Sequence, residues 1–379
     1  MLTPAHSSVD YVFLGPAPPF RGGIANYNVE LARSFAEIGT VQLINFTTLY
    51  PEILFPGSSQ FVEKPPTLSI PSARVISSVN PFTWRQVARS VANLAPRAVI
   101  CQWWHPFFAF AYFAVTRYLV QRKIPVVMIC HNVVPHESTK LDHLLLRLAY
   151  HNIACFITQS TEERQQLQRF RPDADITVNV HPAFQQFPEP PPGLTPPVQL
   201  PERELTLLFF GLIREYKGVK YLLYAIPEIQ EGISVHVIIA GEFYQEVGEY
   251  KALIRSLNIE SAVTIMNRYI PDEEVGWYFR QANLVVLPYV SATQSGVIPL
   301  AYQFRKPVIA TTVGGLPDVV FPGKTGYLVA PGDAHAIAQG VKQFHQDRNT
   351  TDFAGAIEEI LPMFSWEHLR QAILNLLPQ

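Results

Sequence analysis

Eleven short runs of nearly unbroken apolar residues, each closing in a polar or glycine-bearing loop, constrain this chain more than any other feature. Five of them (11–15, 41–46, 98–102, 126–131, 153–159) precede a proline-rich stretch, and six (205–211, 235–241, 263–266, 284–288, 308–311, 326–329) follow it. Strands buried on both faces show no polar alternation. Such runs interleaved with helical spacing, as at 25–35, 106–121 and 141–151, fold as parallel sheets covered by helices. The proline-rich stretch, FPEPPPGLTPPVQLP at 187–201, holds seven prolines in fifteen residues. Proline removes backbone donors and favours extended chain, so this is a semi-rigid linker. The 379 residues suit two α/β domains better than one core. The expected divisions are a first domain at 1–186, a linker at 187–203, a second domain at 204–363 and a closing helix at 364–379 that crosses back to the first domain. Ser365 opens that helix, with Glu367 in its first turn.

Composition narrows the classes. With 48% hydrophobic and 16% charged residues, the chain is an ordinary folded protein and not a disordered one. A net charge of −2 excludes bulk binding of polyanions such as nucleic acid. Residues 1–184 carry 15 Lys and Arg against 11 Asp and Glu, and residues 185–379 carry 14 against 20. The positive first half favours an anionic lipid surface or is scatter about neutrality, and both readings stay open. Three cysteines, Cys101, Cys130 and Cys155, lie within apolar runs. That setting argues for a reducing compartment and against a disulfide framework or zinc site. No signal-peptide pattern opens the sequence. The most apolar stretch, 103–115, is broken by His105 and Pro106 and falls short of the roughly 20 residues that span a bilayer. A cytoplasmic protein is expected, with peripheral contact at the inner face of the membrane as an alternative. The segment WWHPFFAFAYF, 103–113, is core packing if buried. If exposed, it is a lipid or membrane contact helped by Arg117, Arg122 and Lys123.

Three loops concentrate chemistry. GPAPPFRGGIANYNVELA (15–32) places Gly22 and Gly23 before a helix starting near Ile24. Bare backbone N–H groups and the helix dipole favour an anion there, a plain turn being the alternative. FFGLIREYKGVKYLLYAI (209–226) sets Arg214 and Lys217 just after a strand ending at Gly211. Two cations at that place suit a diphosphate, against a reading as solvated loop charges. Lys220 is expected to face solvent. In the third loop, LPYVSATQSGVIPLAYQFRKPVIATTVGGLPDVV (287–320), Ser295 and Gly296 begin a helix, and Gly314, Gly315 and Asp318 follow the next strand. A phosphate at that helix start fits the same physics. Asp173 and Asp175, in DADI, have the spacing of a metal-binding pair but sit in a polar turn before a strand. No metal and no resident cofactor is expected.

These segments together resemble glycosyltransferase family 4, a retaining family of GT-B architecture. The likeness covers nearly the whole chain: the GGIA loop, the strand ending in His131, FGLIREYKG, PVIATTVGGLPDVV and the closing SWEHL helix. It implies two Rossmann-like parallel-sheet domains facing each other across a cleft, the first for an acceptor and the second for a nucleotide-sugar donor. The implied reaction is metal-independent transfer of a sugar from a nucleoside diphosphate to a glycan or lipid-linked acceptor, in cell-envelope polysaccharide synthesis. The acceptor proton would pass largely to the leaving phosphate on the front face. By the same resemblance Gly22 and Gly23 face the donor phosphates and the acceptor, and His131 contacts the donor sugar. A satisfied core histidine is the alternative for His131. Arg214 and Lys217 neutralise the diphosphate, and backbone N–H groups near Ser295, Gly296 and Val297 hold its distal phosphate. Gly211, Thr293, Gln294 and Gly315 complete the donor side, with Asp318 in place of a usual glutamate. Arg21, Asn26, His136 and Glu137 fall on the acceptor side. One departure stands out. The family carries a glutamate, seven residues and a second glutamate before the PVIA strand. Here those positions hold Ala292 and Leu300, or Thr293 and Ala301 when shifted by one. Two further readings follow: a non-catalytic GT-B-like partner that binds a glycan or another transferase, and a sugar-nucleotide epimerase. No added acid/base carboxylate set supports the latter.

Overall fold

The apolar runs become strands because aliphatic side chains on both sides of the backbone fill both faces of a sheet. The computed structural model describes residues 9–51, 60–62, 68–135, 139–182, 197–244 and 246–378. The chain divides into two compact units, Met1–Val180 with Ser365–Gln379, and His181–Phe364.

The first unit is built on β1 (Tyr11–Leu14), β2 (Val41–Thr48), β3 (Ser72–Ser77), β4 (Ala98–Trp103), β5 (Val126–Cys130), β6 (Cys155–Thr158) and β7 (Asp175–Val178). They form one sheet in the order β3-β2-β1-β4-β5-β6-β7, with every pair parallel. Between them run α1 (Gly23–Ala36), α2 (Pro81–Asn93), α3 (Ala109–Val120), α4 (Lys140–Tyr150) and α5 (Thr161–Gln168). Successive strand residues point to opposite faces. Tyr11 and Phe13 join Leu31 and Phe35 in one core, whereas Val12 and Leu14 join Val87, Tyr112 and Leu146 in the other.

The second unit carries β8 (Leu205–Phe210), β9 (Val235–Ala240), β10 (Val263–Met266), β11 (Leu284–Leu287), β12 (Val308–Thr311) and β13 (Gly326–Val329). Their order is β10-β9-β8-β11-β12-β13, again parallel throughout. Its helices are α6 (Val219–Gln230), α7 (Val247–Ser256), α8 (Asp272–Gln281), α9 (Val297–Gln303), α10 (Ala334–Asp347) and α11 (Phe353–Ile360).

The last helix, α12 (Trp366–Asn375), belongs to the first unit. Ser365 caps it, its hydroxyl accepting from the His368 N–H at 3.0 Å. Leu369 and Ile373 are fully buried with Leu31 and Phe35. Arg370 donates to the Ser34 carbonyl and, at 2.6 Å, to Glu37, and so closes the end of α1.

Several details differ from the sequence expectation. The 106–121 segment opens as a tight turn, Pro106–Phe108, before α3 begins. Strands β3 and β7 appear at the sheet edges, where one neighbour suffices and exposure alternates, as in the partly exposed SARVIS of β3. Asp175 is the first residue of β7, and Asp173 is held by the Arg171 guanidinium at 3.1 and 3.2 Å. The aromatic segment is mainly core: Trp103, Phe108 and Tyr112 are buried, and Phe110 alone among its large apolar side chains is largely exposed. Of the proline-rich stretch, residues 187–196 lie outside the described residues. No helix among the described residues is long and apolar enough to cross a membrane.

Because Ile373 contributes its whole side chain to a closed core, Ile373→Ala should cost about 2–5 kcal/mol. Urea unfolding followed by circular dichroism should show a lower midpoint for the variant.

Candidate functional site

Ligands of parallel α/β sheets gather beyond the carboxyl ends of the strands. At that edge of the second sheet, the loops after β8, β9, β11 and β12 meet backbone to backbone. A Cβ on Gly241 would lie 2.1 Å from the Gly211 carbonyl oxygen, one on Gly218 2.0 Å from that of Pro288, and one on Gly314 1.8 Å from that of Ala292. All three glycines have positive φ, at 144°, 65° and 52°. A side chain there would meet both a clash and a strained backbone.

This nesting brings the sequence-identified donor residues of the second unit together. The Lys217 Nζ lies 3.6 Å from the place a Gly211 Cβ would take, and the Val297 side chain lies 3.8 Å from it. Lys217 also sits 5.4 Å from the Tyr289 ring centroid. Burial, and secondarily the charge of Arg214, pushes its ammonium down to about 8. Arg214 is exposed, with its guanidinium 4.3 Å from the Tyr244 ring centroid. Among the described residues neither cation pairs with a carboxylate, since Glu215 between them turns to Lys220 at 3.7 Å. The positive charge is therefore available to a ligand.

The third loop follows β11. Helix α9 starts at Val297 with Gly296 as its cap, and the Val297 N–H donates to the Ser295 hydroxyl at 3.3 Å. That hydroxyl also meets the Tyr289 hydroxyl at 3.3 Å. The Gly315 N–H donates to the Thr293 carbonyl at 2.8 Å, and Asp318 ends a half-buried tight turn, Leu316–Asp318. The Gln294 Nε2 is buried and meets no acceptor among the described residues. A buried donor in that state is ordinarily satisfied by a ligand or water. Leu300 is buried within α9, and the Ala292 carbonyl abuts Gly314.

In the first unit, a cavity of about 410 Å³ is lined by Arg21, Gly22, Gly23, Tyr50, Gln60 and Trp104, among others. Gly22 has φ 125°, and a Cβ on Gly23 would meet nothing within 4 Å, so the start of α1 is open to approach. Asn26 is exposed in the first turn, its N–H donating to Gly22 at 3.2 Å. His131 is engaged at both ring nitrogens, Nε2 by Gln102 at 2.8 Å and Nδ1 by Gln159 at 3.0 Å. The direction of this relay is fixed from its far end. The Pro16 carbonyl can only accept, so Asn28 donates to it at 3.0 Å and offers its own oxygen to Gln102 at 3.2 Å. Gln102 must then accept from His131, so Nε2 carries a proton. The Tyr27 ring packs edge-on between His131, at 4.6 Å, and Trp366, at 5.0 Å. Behind the relay, the Gln159 N–H donates to Glu163 at 3.0 Å. Burial raises that carboxyl to about 7. His136 and Glu137 lie outside the described residues.

Gln102, Gln159, Tyr27 and Tyr289 were not among the sequence candidates. The signal for the two glutamines was present: each is a polar residue closing an apolar run, in AVICQ and CFITQ. Among the described residues no group of three or more His, Cys, Asp or Glu is placed to hold a metal.

A parallel sheet in each unit, with a cationic, glycine-nested carboxyl edge on the second, defines an α/β protein of the GT-B class. Two family models match the chain, Glycosyltransferase Family 4 over residues 21–180 and Glycosyl transferases group 1 over residues 204–347. The chain belongs to the family 4 type of glycosyltransferases. Among similar curated proteins is a D-inositol 3-phosphate glycosyltransferase of Streptomyces coelicolor, 30% identical over 241 residues, 56% of this chain and 52% of that protein. The chain spans about half or less of the length of the curated relatives it matches, for example 44%, 40% and 38%. Among solved structures, Anabaena HepE in complex with UDP aligns with TM-score 0.68 at 15% identity, covering 97% of this chain and 99% of that one. Sucrose-phosphate synthase from Thermosynechococcus elongatus aligns with TM-score 0.66 at 19% identity, covering 97% and 98%. At such identities these likenesses speak for the fold.

Gly314→Ala should displace the loop that carries Thr293 to Ser295 and cost about 2 kcal/mol or more through strain and clash. Thermal unfolding of the variant beside the parent chain checks this.

Proposed function

We propose that the chain moves a sugar from a nucleoside-diphosphate donor to a glycan or lipid-linked acceptor, with retention and without a metal ion. The observation that carries this reading is the pair Arg214 and Lys217, unpaired with any described carboxylate at a glycine-nested carboxyl edge. As the glycosidic bond breaks, negative charge grows on the departing phosphate, and fixed cations in a partly dehydrated site stabilise it most. Thr293, Gln294, Ser295 and the backbone at Gly296 and Val297 would contact the rest of the donor, and the unmatched Gln294 Nε2 would gain an acceptor there. The acceptor hydroxyl would approach on the face of the leaving phosphate and pass its proton to a phosphate oxygen. His131, held at both nitrogens, would orient the sugar. The cavity beside Gly22 and Gly23 would take the acceptor, with Arg21 and Asn26 at its edge. HepE, which shares the fold, has been solved with UDP and with UDP-glucose, which supports a nucleotide-sugar donor. A cytoplasmic location fits such a donor.

A second reading rests on Ala292 and Leu300, or Thr293 and Ala301 when shifted by one, at the positions where the resemblance implies carboxylates. A chain that kept the fold and lost turnover would bind a glycan or partner instead. Measured consumption of a donor separates the two, and an epimerised donor in place of a glycoside would mark the third possibility.

Calorimetry with UDP, GDP and ADP tests the diphosphate site. Lys217→Ala should weaken binding at least tenfold, since hydrogen bonds to charged groups contribute about 1.5–3 kcal/mol. Unchanged affinity would sink the assignment. The sign of the pH effect follows from the lowered ammonium. Below about 8 Lys217 holds its proton and attracts phosphate; above it the charge is lost, so affinity should fall as pH rises through that value. Lys217→Arg, which stays protonated, should flatten the profile.

A further inference from the structure

The outer face of α2, α3 and α4 plays no part in the donor reading. Each helix follows a parallel strand, so their first turns share the carboxyl end of the first sheet, and α3 packs against both α2 and α4. Their inner sides are spent on the core through Val87, Tyr112 and Leu146. Outward, each presents one stripe at helical spacing: Phe82, Arg85 and Arg89 on α2, Phe110 and Arg117 on α3, and Lys140, Leu144 and Arg147 on α4. Phe82 is 86% exposed, Phe110 57%, and Leu141 and Leu144 63% each. All four apolar side chains fall in the first two turns of their helices. The five cations are exposed, and among the described residues none of them pairs with a carboxylate. The single acid in the three helices, Asp142, is turned onto the Thr139 backbone and hydroxyl as a capping box.

We propose that this three-helix face docks on an anionic lipid bilayer. Phe82, Phe110, Leu141 and Leu144 enter the boundary between headgroups and acyl chains, and Arg85, Arg89, Arg117, Lys140 and Arg147 meet lipid phosphates. Charge complementarity selects the occupant. A face with five exposed cations, none paired with a described carboxylate, and one internally satisfied acid seeks a polyanion, and four projecting apolar side chains in the first turns of the helices seek a hydrocarbon boundary. A bilayer with acidic headgroups supplies both, whereas a nucleic acid supplies only the first. The proposal stands apart from the donor reading and would bring the acceptor cavity's unit to a membrane-held acceptor.

Co-sedimentation of the full chain with vesicles tests it. Vesicles of phosphatidylcholine and phosphatidylglycerol should retain the protein, those of phosphatidylcholine alone should not, and salt near 1 M should release it. Arg85→Glu with Arg89→Glu and Arg117→Glu should lower partition by more than tenfold, since each cation near such a surface contributes roughly fivefold. Phe82→Ser with Phe110→Ser should lower it as well. UDP binding by these surface variants should stay at the parent level, which separates this proposal from the donor site. Absence of partition onto the acidic vesicles would overturn the proposal. So would full retention by the arginine variants. Loss in the arginine variants with none in the phenylalanine pair would also overturn it, in favour of a general polyanion surface.

Discussion

Direct contact of backbone with backbone at the carboxyl edge of the second sheet is the constraint on which the donor side depends. Gly241, Gly218 and Gly314 let four loops approach to distances that any side chain would forbid. Only in that arrangement do Lys217, Val297 and the Thr293 to Ser295 loop gather about one point. The glycines have a second consequence. With no side chains of their own, they leave backbone groups open beside Lys217. Bare backbone beside two cations is an arrangement that suits an anion.

The first unit solves a different problem. A histidine at the end of β5 must keep one orientation, and buried polar groups are costly unless all are matched. The relay from Pro16 through Asn28, Gln102 and His131 to Gln159 achieves both, because its end at a proline carbonyl allows one direction of donation. Tyr27 packs edge-on against the imidazole and is itself backed by Trp366. Helix α12 therefore contributes to the setting of His131 as well as to the core, although it comes from the far end of the chain.

At the carboxyl edge of the second sheet no described carboxylate pairs with Arg214 or Lys217, and this sets the electrostatic balance there. Carboxylates beside Arg214 and Lys217 would offset their charge and sustain a protonated lysine. Without them, burial and the neighbouring arginine act unopposed, and the ammonium moves down to about 8. Gln294 also has a buried donor that is unmatched among the described residues. Both features mark a site whose polar demands are met by what it binds.

The sequence by itself determined the two parallel sheets, because unbroken apolar runs between helical periods admit little else. It also located the cationic pair after β8 and the Ser365 cap of α12, since strand ends and caps are local signals. The edge strands β3 and β7 were obscured, one being half exposed and the other short, and they pair only because a neighbour lies beside them. Tertiary structure alone decided the rest. His131 is joined to Gln159 across 28 residues, and Gln102 to Asn28 across 74. Arg370 meets Glu37 across 333. Patterns with periods of two or 3.6 residues carry no information at that range. Lys217 is likewise an ordinary loop lysine in sequence, and its lowered proton affinity comes from the burial that four nested loops impose.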